Sequence, residues 1–459
     1  MVSCNPPAAN DYAYAHVLGN GTLDAANSKS VIAFDGGNGL YCFNLAFQPK
    51  NAVATLALPL QMFASYCFEQ WPVTAVTERR CLFAHATLHI SLWGSPFGSS
   101  SARLYAKNGE GFMKYTRIVV TRYGGPEVIT IVDEECPGPM SGEVRVKVLA
   151  AGVSLPDVLA REGVHPETPR VPYTPGWDLV GVVDQIGEGV SGFELGQTVA
   201  AMPISGCYAQ YVCLPQRKFV PVPAGLDPSE AVAVVLNYIT AYQMLDRSAK
   251  VKPGQRVLIH GASGGVGTAL LQLGQLAKVE MYGTCSAQAA EVVKELGAIP
   301  IDYGNCDFVQ EIHHLTGDGV DAVFDGIGGD NLWRSRKALR EGGRVVVYGF
   351  QSKLHGGRMA SGAPNERHPI RESAILGWYI LRNRFLPGRK SMVPYSIQWL
   401  MRLKPAWFRH DLLTLFDLLQ QKKIKPLIAQ RLPLCQARHA HELLGSGGVI
   451  GKIVLIPNG

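Results

Sequence analysis

Eight consecutive residues, His260-Gly261-Ala262-Ser263-Gly264-Gly265-Val266-Gly267, constrain what this chain can fold into more than any other stretch. The apolar run 256–260 before them reads as a β-strand, and the spacing of apolar residues over 265–276 reads as a helix. Glycines at such a junction let the backbone turn sharply and approach a phosphate closely, while free N–H groups at the helix start stabilise its charge. A glycine-rich loop alone also serves ordinary turns. The context narrows the choice. A second strand, 280–284, follows at crossover distance, and Gly297-Ala298 then leads to Tyr303. A strand over 321–325 runs into Gly326-Ile327-Gly328-Gly329, and another covers 344–349. Strands alternating with helices in this way predict an α/β fold built on a doubly wound parallel sheet, with a dinucleotide site at the loop.

From about Met113 to the C-terminus the chain resembles the medium-chain dehydrogenases/reductases, and within them the zinc-independent quinone oxidoreductase branch. The motifs that carry the resemblance stand in the family's order: Tyr123-Gly124-Gly125-Pro126-Glu127, Ala150-Ala151-Gly152-Val153 with Asp157, Pro175-Gly176-Trp177-Asp178, Gly206-Cys207-Tyr208-Ala209-Gln210, Thr240-Ala241-Tyr242, the glycine loop, Gly319-Val320-Asp321, and Gly451-Lys452-Ile453-Val454. The segment after Gly356 and the run Ile424-Lys425-Pro426 are most similar to the vesicle amine transport protein relatives in that branch. The resemblance implies a GroES-like β-barrel catalytic domain over 113–236, a Rossmann cofactor domain over 237–421, and a return segment, 422–459, that completes the first domain. It also implies a cleft between the two as the active site, and a homodimer formed by edge strands of the cofactor domains.

The first 112 residues are of another kind: they hold 12 of the acidic and basic residues, against 68 in the following 347. Gly-Asn and Ser-rich stretches interrupt them, so they are read as a poorly ordered extension or as residues upstream of the true start at Met113, with an unfamiliar extra domain as the alternative. Residues 1–14 lack the basic stretch and apolar core of a secretory signal, and Pro59 and Gln61 weaken 51–68 as a membrane span. Ten cysteines without a CxxC pair read as free thiols of a reducing, cytoplasmic compartment. A net charge of +6, with scattered Lys and Arg, gives nucleic-acid binding no support.

At the end of the second strand, where a carboxylate would hold the ribose of NAD, stands Thr284-Cys285-Ser286. That favours NADPH. By resemblance Ser286 and Tyr303 match residues that lie against the 2′-phosphate in NADPH-dependent relatives, although Ala289 or Ala290 replaces the lysine expected nearby. Ser286 could equally cap the next helix. The resemblance further implies Thr240 near the nicotinamide, Gly326, Ile327 and Gly328 with Tyr348, Gly349 and Phe350 along the nucleotide, and Lys452 closing over the cofactor with Gly451. Ordinary helix and turn roles remain open for each.

Zinc is not expected. Ser154 stands where zinc-using members carry a cysteine, Trp177-Asp178 where they carry histidine and glutamate, and the four-cysteine lobe is missing before Cys207. His165, His313 and His314 read as solvated or capping groups. Without a metal, the protein's task is to stack a quinone or an α,β-unsaturated carbonyl on the nicotinamide and donate a hydrogen bond. Ser154, at the position of an asparagine in quinone-reductase relatives, is the first candidate donor. Tyr173 and Tyr238 are candidates for a phenolic proton, or packed core tyrosines. Asp157 is read as a barrel-organising acceptor in preference to a catalytic group. A competing reading, a peripheral membrane or lipid-handling protein with little turnover, rests on 353–410. There 11 Lys and Arg face two acids among Trp378, Tyr379, Phe385, Trp399, Trp407 and Phe408. The alternative is a buried strand at 374–380 and a packed helix at 395–403.

Overall fold

The computed structural model describes residues 113–349 and 389–458 in full, and elsewhere only the backbone of short strands. The chain divides into two compact units, Met1–Phe112 and Met113–Gly459. In the first, backbone strands including Cys42–Phe47, Ala86–Gly94 and Ser100–Asn108 form a five-stranded sheet, although the sequence there reads as a poorly ordered extension. The side chains of that unit, Phe350 and the readings at 374–380 lie outside the described residues.

The catalytic part of the second unit is a seven-stranded sheet centred on Glu143–Val153. Residues alternate between buried and half-buried along the first part of this strand, then are buried without a break from Ala150 to Val153, as a strand does when it enters a core from one face and ends inside it. It pairs antiparallel with Leu179–Ile186, Tyr211–Pro215 and Lys452–Ile456. The third of these partners comes from the far end of the chain, and Ile428–Pro433 joins it in parallel. Strands from the end of the chain thus belong to the same sheet.

The cofactor part is a six-stranded parallel sheet in the order Ala298–Asp302, Glu280–Cys285, Arg256–His260, Val320–Asp325, Leu339–Val347, Ser391–Pro394. The order reverses between the strand Arg256–His260 and the strand Val320–Asp325, and a doubly wound sheet opens a crevice at that point, beyond its carboxyl edge. The helix Gly265–Leu276 begins there. The strand expected over 344–349 starts earlier, at Leu339, because Val320 already pairs with that residue before a register shift. The basic and aromatic stretch ends in two helices, Ile397–Leu403 and Pro405–Gln420, the second burying Phe408, Leu412, Leu415 and Phe416.

Candidate active site

The glycine loop fits a pyrophosphate by what it leaves empty. Gly264 caps the helix Gly265–Leu276 with no side chain, so the first N–H groups of that helix have no side-chain cap. A Cβ built on Gly264 would meet only the Gly261 carbonyl, at 3.3 Å, which leaves open space ahead of the loop. Gly261, with φ near +63°, takes the left-handed turn that leads there. Gly267 serves packing instead: a Cβ on it would lie 2.7 Å from Ala262 Cα, and closer still to the Gly261 oxygen.

A hydrogen-bonded chain behind the loop fixes its shape. Ser335 Oγ donates to Asp325 Oδ2 at 2.6 Å, His260 Nε2 stands 3.0 Å from Ser335 Oγ, and His260 Nδ1 stands 3.1 Å from Thr284 Oγ1. Since Ser335 gives its proton to Asp325, it accepts from His260, which assigns the neutral imidazole proton to Nε2. Burial lowers the His260 pKa and keeps it neutral. Asp325 Oδ1 also accepts the N–H groups of Ile327 and Gly328, at 2.8 and 2.9 Å. Those two amides, expected along the nucleotide, turn back into the fold because a fully buried carboxylate needs several donors. Beside them the Tyr348 ring lies over Gly326, and a Cβ on Gly349 would stand 2.6 Å from the Gly326 oxygen.

At the end of the second strand Cys285 is buried and Ser286 half-exposed, and the Ser286 hydroxyl caps no helix. Tyr303, 64% exposed, donates its backbone N–H to the Cys285 carbonyl at 3.3 Å, which brings it beside Ser286. The sequence left one neighbour unseen. Asp302 pairs across from Cys285 on the adjacent strand, its carboxylate accepting from Gly304 N and from Asn305 Nδ2 at 3.0 and 2.6 Å.

The return strand joins the loop to the catalytic part. Gly451 donates to the Ser263 carbonyl at 2.9 Å and bridges to Gly264. Ile453, two residues on, pairs with Val153, so Ser154 follows in register beside Lys452. Lys452 differs from expectation. Its ammonium is buried, 3.1 Å from Asp178 Oδ2, and does not reach out over the cofactor, because a buried cation requires a counter-charge. Ser154 caps the helix Leu155–Glu162, and its Oγ donates to Asp157 Oδ2 at 2.7 Å. Asp157 Oδ2 also accepts the Ser154 N–H at 3.0 Å, and Oδ1 accepts the Gly176 N–H at 2.9 Å. Burial pushes the Asp157 carboxyl up to about 7.

Tyr238 is a correction: its ring is buried and its hydroxyl donates to Gln272 Oε1 at 3.0 Å, which removes it as a proton donor facing a cleft. Tyr173 is half-buried, with a hydroxyl that is buried and unpartnered. Thr240 is buried within the helix Ile239–Gln243. His165 is also corrected, since its ring meets Trp177 edge-on at 5.3 Å and burial lowers its pKa to about 4, making it a neutral packing group. His313 Nε2 lies 3.0 Å from the Lys337 carbonyl, and His314 is exposed beside Glu311.

Two family models match the chain, the alcohol dehydrogenase GroES-like domain over residues 140–224 and zinc-binding dehydrogenase over 296–455. A rat quinone oxidoreductase is 30% identical over 350-odd aligned positions, covering 76% of this chain and 99% of its own length. A rat synaptic vesicle membrane protein VAT-1 homolog is 32% identical, covering 74% and 83%. The crystal structure of Escherichia coli quinone oxidoreductase complexed with NADPH superposes with a TM-score of 0.65 at 28% identity, over 74% of this chain and all of the other. The chain belongs to the medium-chain dehydrogenase/reductase superfamily. Within it the relatives put the chain in the zinc-independent quinone oxidoreductase branch. One of the two matched families is that of the zinc-binding dehydrogenases, whereas by resemblance Ser154 and Trp177 stand where zinc-using members carry ligands. Among the described residues no three His, Cys, Asp or Glu side chains are grouped to hold a metal ion. The chain thus belongs to a family of oxidoreductases, and the similar structure complexed with NADPH supports a nicotinamide cofactor.

Proposed function

We propose that this protein is an NADPH-dependent reductase of quinones or α,β-unsaturated carbonyls that works without zinc. The observation that carries the reading is the open, uncapped helix start at Gly264 beside a second strand that ends in an uncapped Ser286. Bound NADPH supplies a hydride. Gly264, Gly265, Val266 and Gly267 would hold its pyrophosphate through their backbone, and Ser286 and Tyr303 would hold its 2′-phosphate. Asp302 would oppose that phosphate, and alanines stand at 289 and 290 where a lysine would offset it, so the preference over NADH is expected to be moderate. Ser154 stands at the inner end of the central barrel strand, next in register to the segment that touches the loop. In that place it orients the substrate oxygen that gains charge on reduction. No general acid or base beyond it is needed for the hydride step itself.

The reading is tested by NADPH and NADH oxidation under anaerobic conditions against a panel of quinones and enones. A carboxylate at 286 repels a 2′-phosphate but accepts bonds from a free ribose hydroxyl. Ser286→Asp is therefore expected to shift the ratio of kcat/KM values towards NADH by on the order of ten-fold. An unchanged ratio would place the phosphate elsewhere.

A second reading keeps the fold but moves the purpose to a membrane surface, and it is favoured by one observation. Trp399 and Leu403 are 64% and 72% exposed on one short helix, beside Arg402 and Lys404. Arg402 is engaged with Glu167, and Trp407 lies under Arg247 and Lys404, so fewer cations are free than the sequence suggests. The free thiols of the described cysteines accord with a cytoplasmic location, and the edge strand Ser391–Pro394 with a homodimer. Light scattering and sedimentation with anionic vesicles check both.

A further inference from the structure

We propose that Asp157 is a proton store that delivers, through the Ser154 hydroxyl, the proton required by the reduced product. This rests on the reductase reading above and on a charge imbalance in the interior around Asp157. Two carboxyl groups, Asp157 and Asp178, are both buried, and of the two buried cations near them, Lys452 and Arg161, neither forms an ion pair with Asp157. Lys452 stands on Asp178. A Cβ on Gly152 would lie 2.6 Å from the Lys452 nitrogen and closer to Asp178 Oδ1, so the backbone seals that pair. The other nearby cation, Arg161, is paired with Glu162 at 2.6 Å and donates to the Gly124 carbonyl. Asp157 is left with three hydrogen bonds and no counter-ion. A buried carboxylate in that position favours its neutral, protonated form, and a value near neutrality is what a proton donor needs.

The groups facing Asp157 from the surrounding elements are consistent with this use. Ser154 comes from its own helix cap and Gly176 from the loop before the strand Leu179–Ile186. Asp178 and Lys452 come from that strand's start and from the return strand. Cys207, Tyr208 and Tyr173 complete the surroundings, and burial raises the pKa of all three, so they stay neutral. In the same part of the fold lie buried polar atoms without a hydrogen-bond partner: Tyr173 OH, Arg161 Nη1 and both ring nitrogens of His441. The His441 ring meets Tyr208 edge-on at 5.9 Å, and burial pushes its pKa down to about 3. Buried polar atoms in that number are ordinarily satisfied by internal water, and water there would reload the store.

Hydride forms a new C–H bond at one end of the conjugated substrate, and the displaced electron pair settles on its oxygen as an enolate or hydroquinone monoanion. When Asp157 is protonated, its O–H donates to the Ser154 oxygen in place of the bond that the serine gives to the carboxylate, so the Ser154 O–H is free to face the substrate; that O–H bond then breaks and its proton forms the product O–H. The Asp157 O–H bond breaks and its proton restores the serine. Asp157 remains as a carboxylate until solvent reprotonates it.

Turnover by the parent is therefore expected to be full below neutrality and to fall as pH rises through about 7. Asp157→Asn and Ser154→Ala should each lower kcat on the order of 100-fold and abolish that fall, with NADPH affinity by fluorescence unchanged, while Ser154→Thr keeps the profile. A second readout needs no turnover. In protein labelled with 13C-aspartate, one carboxyl should titrate near neutrality. It should titrate higher in Ser154→Ala, where the bond that favours the carboxylate is lost, and vanish in Asp157→Asn. A parent that reduces no quinone or enone would overturn the reaction and with it the purpose of the store. An active parent whose pH profile is unmoved by these changes, or in which no aspartate titrates near neutrality, would overturn the store alone.

Discussion

Gly267→Val is expected to yield a protein that melts several degrees below the parent and binds no cofactor. The new Cβ would fall on backbone, with Ala262 Cα 2.7 Å away and the Gly261 oxygen nearer. Backbone held by the strand Arg256–His260 on one side and a helix on the other cannot move aside, so the overpacking costs about 3 kcal/mol. Gly264→Val makes the informative contrast. There a Cβ meets only one oxygen, at 3.3 Å, so the melting temperature should stay near the parent's while the valine methyls occupy the space for the pyrophosphate. Thermal melts and fluorescence titrations of the pair separate the packing glycine from the binding glycine. Equal losses of stability in both would refute the division.

Lys452→Met should be as damaging for an electrostatic reason. It leaves Asp178, wholly buried, without the ammonium 3.1 Å away, and removing one partner of a buried pair costs about 3–5 kcal/mol. The loss should be greater at alkaline than at acidic pH. Burial already raises the Asp178 pKa, and a protonated Asp178 needs no counter-charge. Adding Asp178→Asn to Lys452→Met should recover much of the stability, read by urea denaturation. A double variant no more stable than the single one would show that the pair contributes by packing and not by charge.

These residues also mark how far the sequence could be read. The strand 256–260 and the helix 265–276 were legible because periodicity and glycines act over neighbouring residues, and the structure has them at those bounds. The return of the chain's end was implied by resemblance alone, and in the structure Gly152 pairs with Val454. Pairings across long separations carried no local signal. Nothing near Lys452 says that its partner is Asp178, and nothing near Tyr238 says that Gln272 accepts the hydrogen bond from its hydroxyl. Asp302 escaped notice because the specificity rule looks at the end of one strand, whereas its carboxylate comes from the strand beside it. The chain Thr284, His260, Ser335, Asp325 joins three strand ends and a helix, and only the folded sheet brings them into line. For Asp157 the sequence supplied the residue and its role as an acceptor. The missing counter-ion that makes it a store is a property of the packed interior.

The central claim is that hydride passes from NADPH to a conjugated carbonyl on a scaffold that needs no zinc. The most direct measurement is the rate of NADPH oxidation with quinones and enones by protein dialysed exhaustively against a chelator, with zinc counted in the same sample. Undiminished reduction with well under one zinc per chain is the expected result, since a serine hydroxyl and an indole at 154 and 177 are poor ligands. Stoichiometric zinc in the untreated protein, with reduction lost on its removal and restored on its return, would contradict the account.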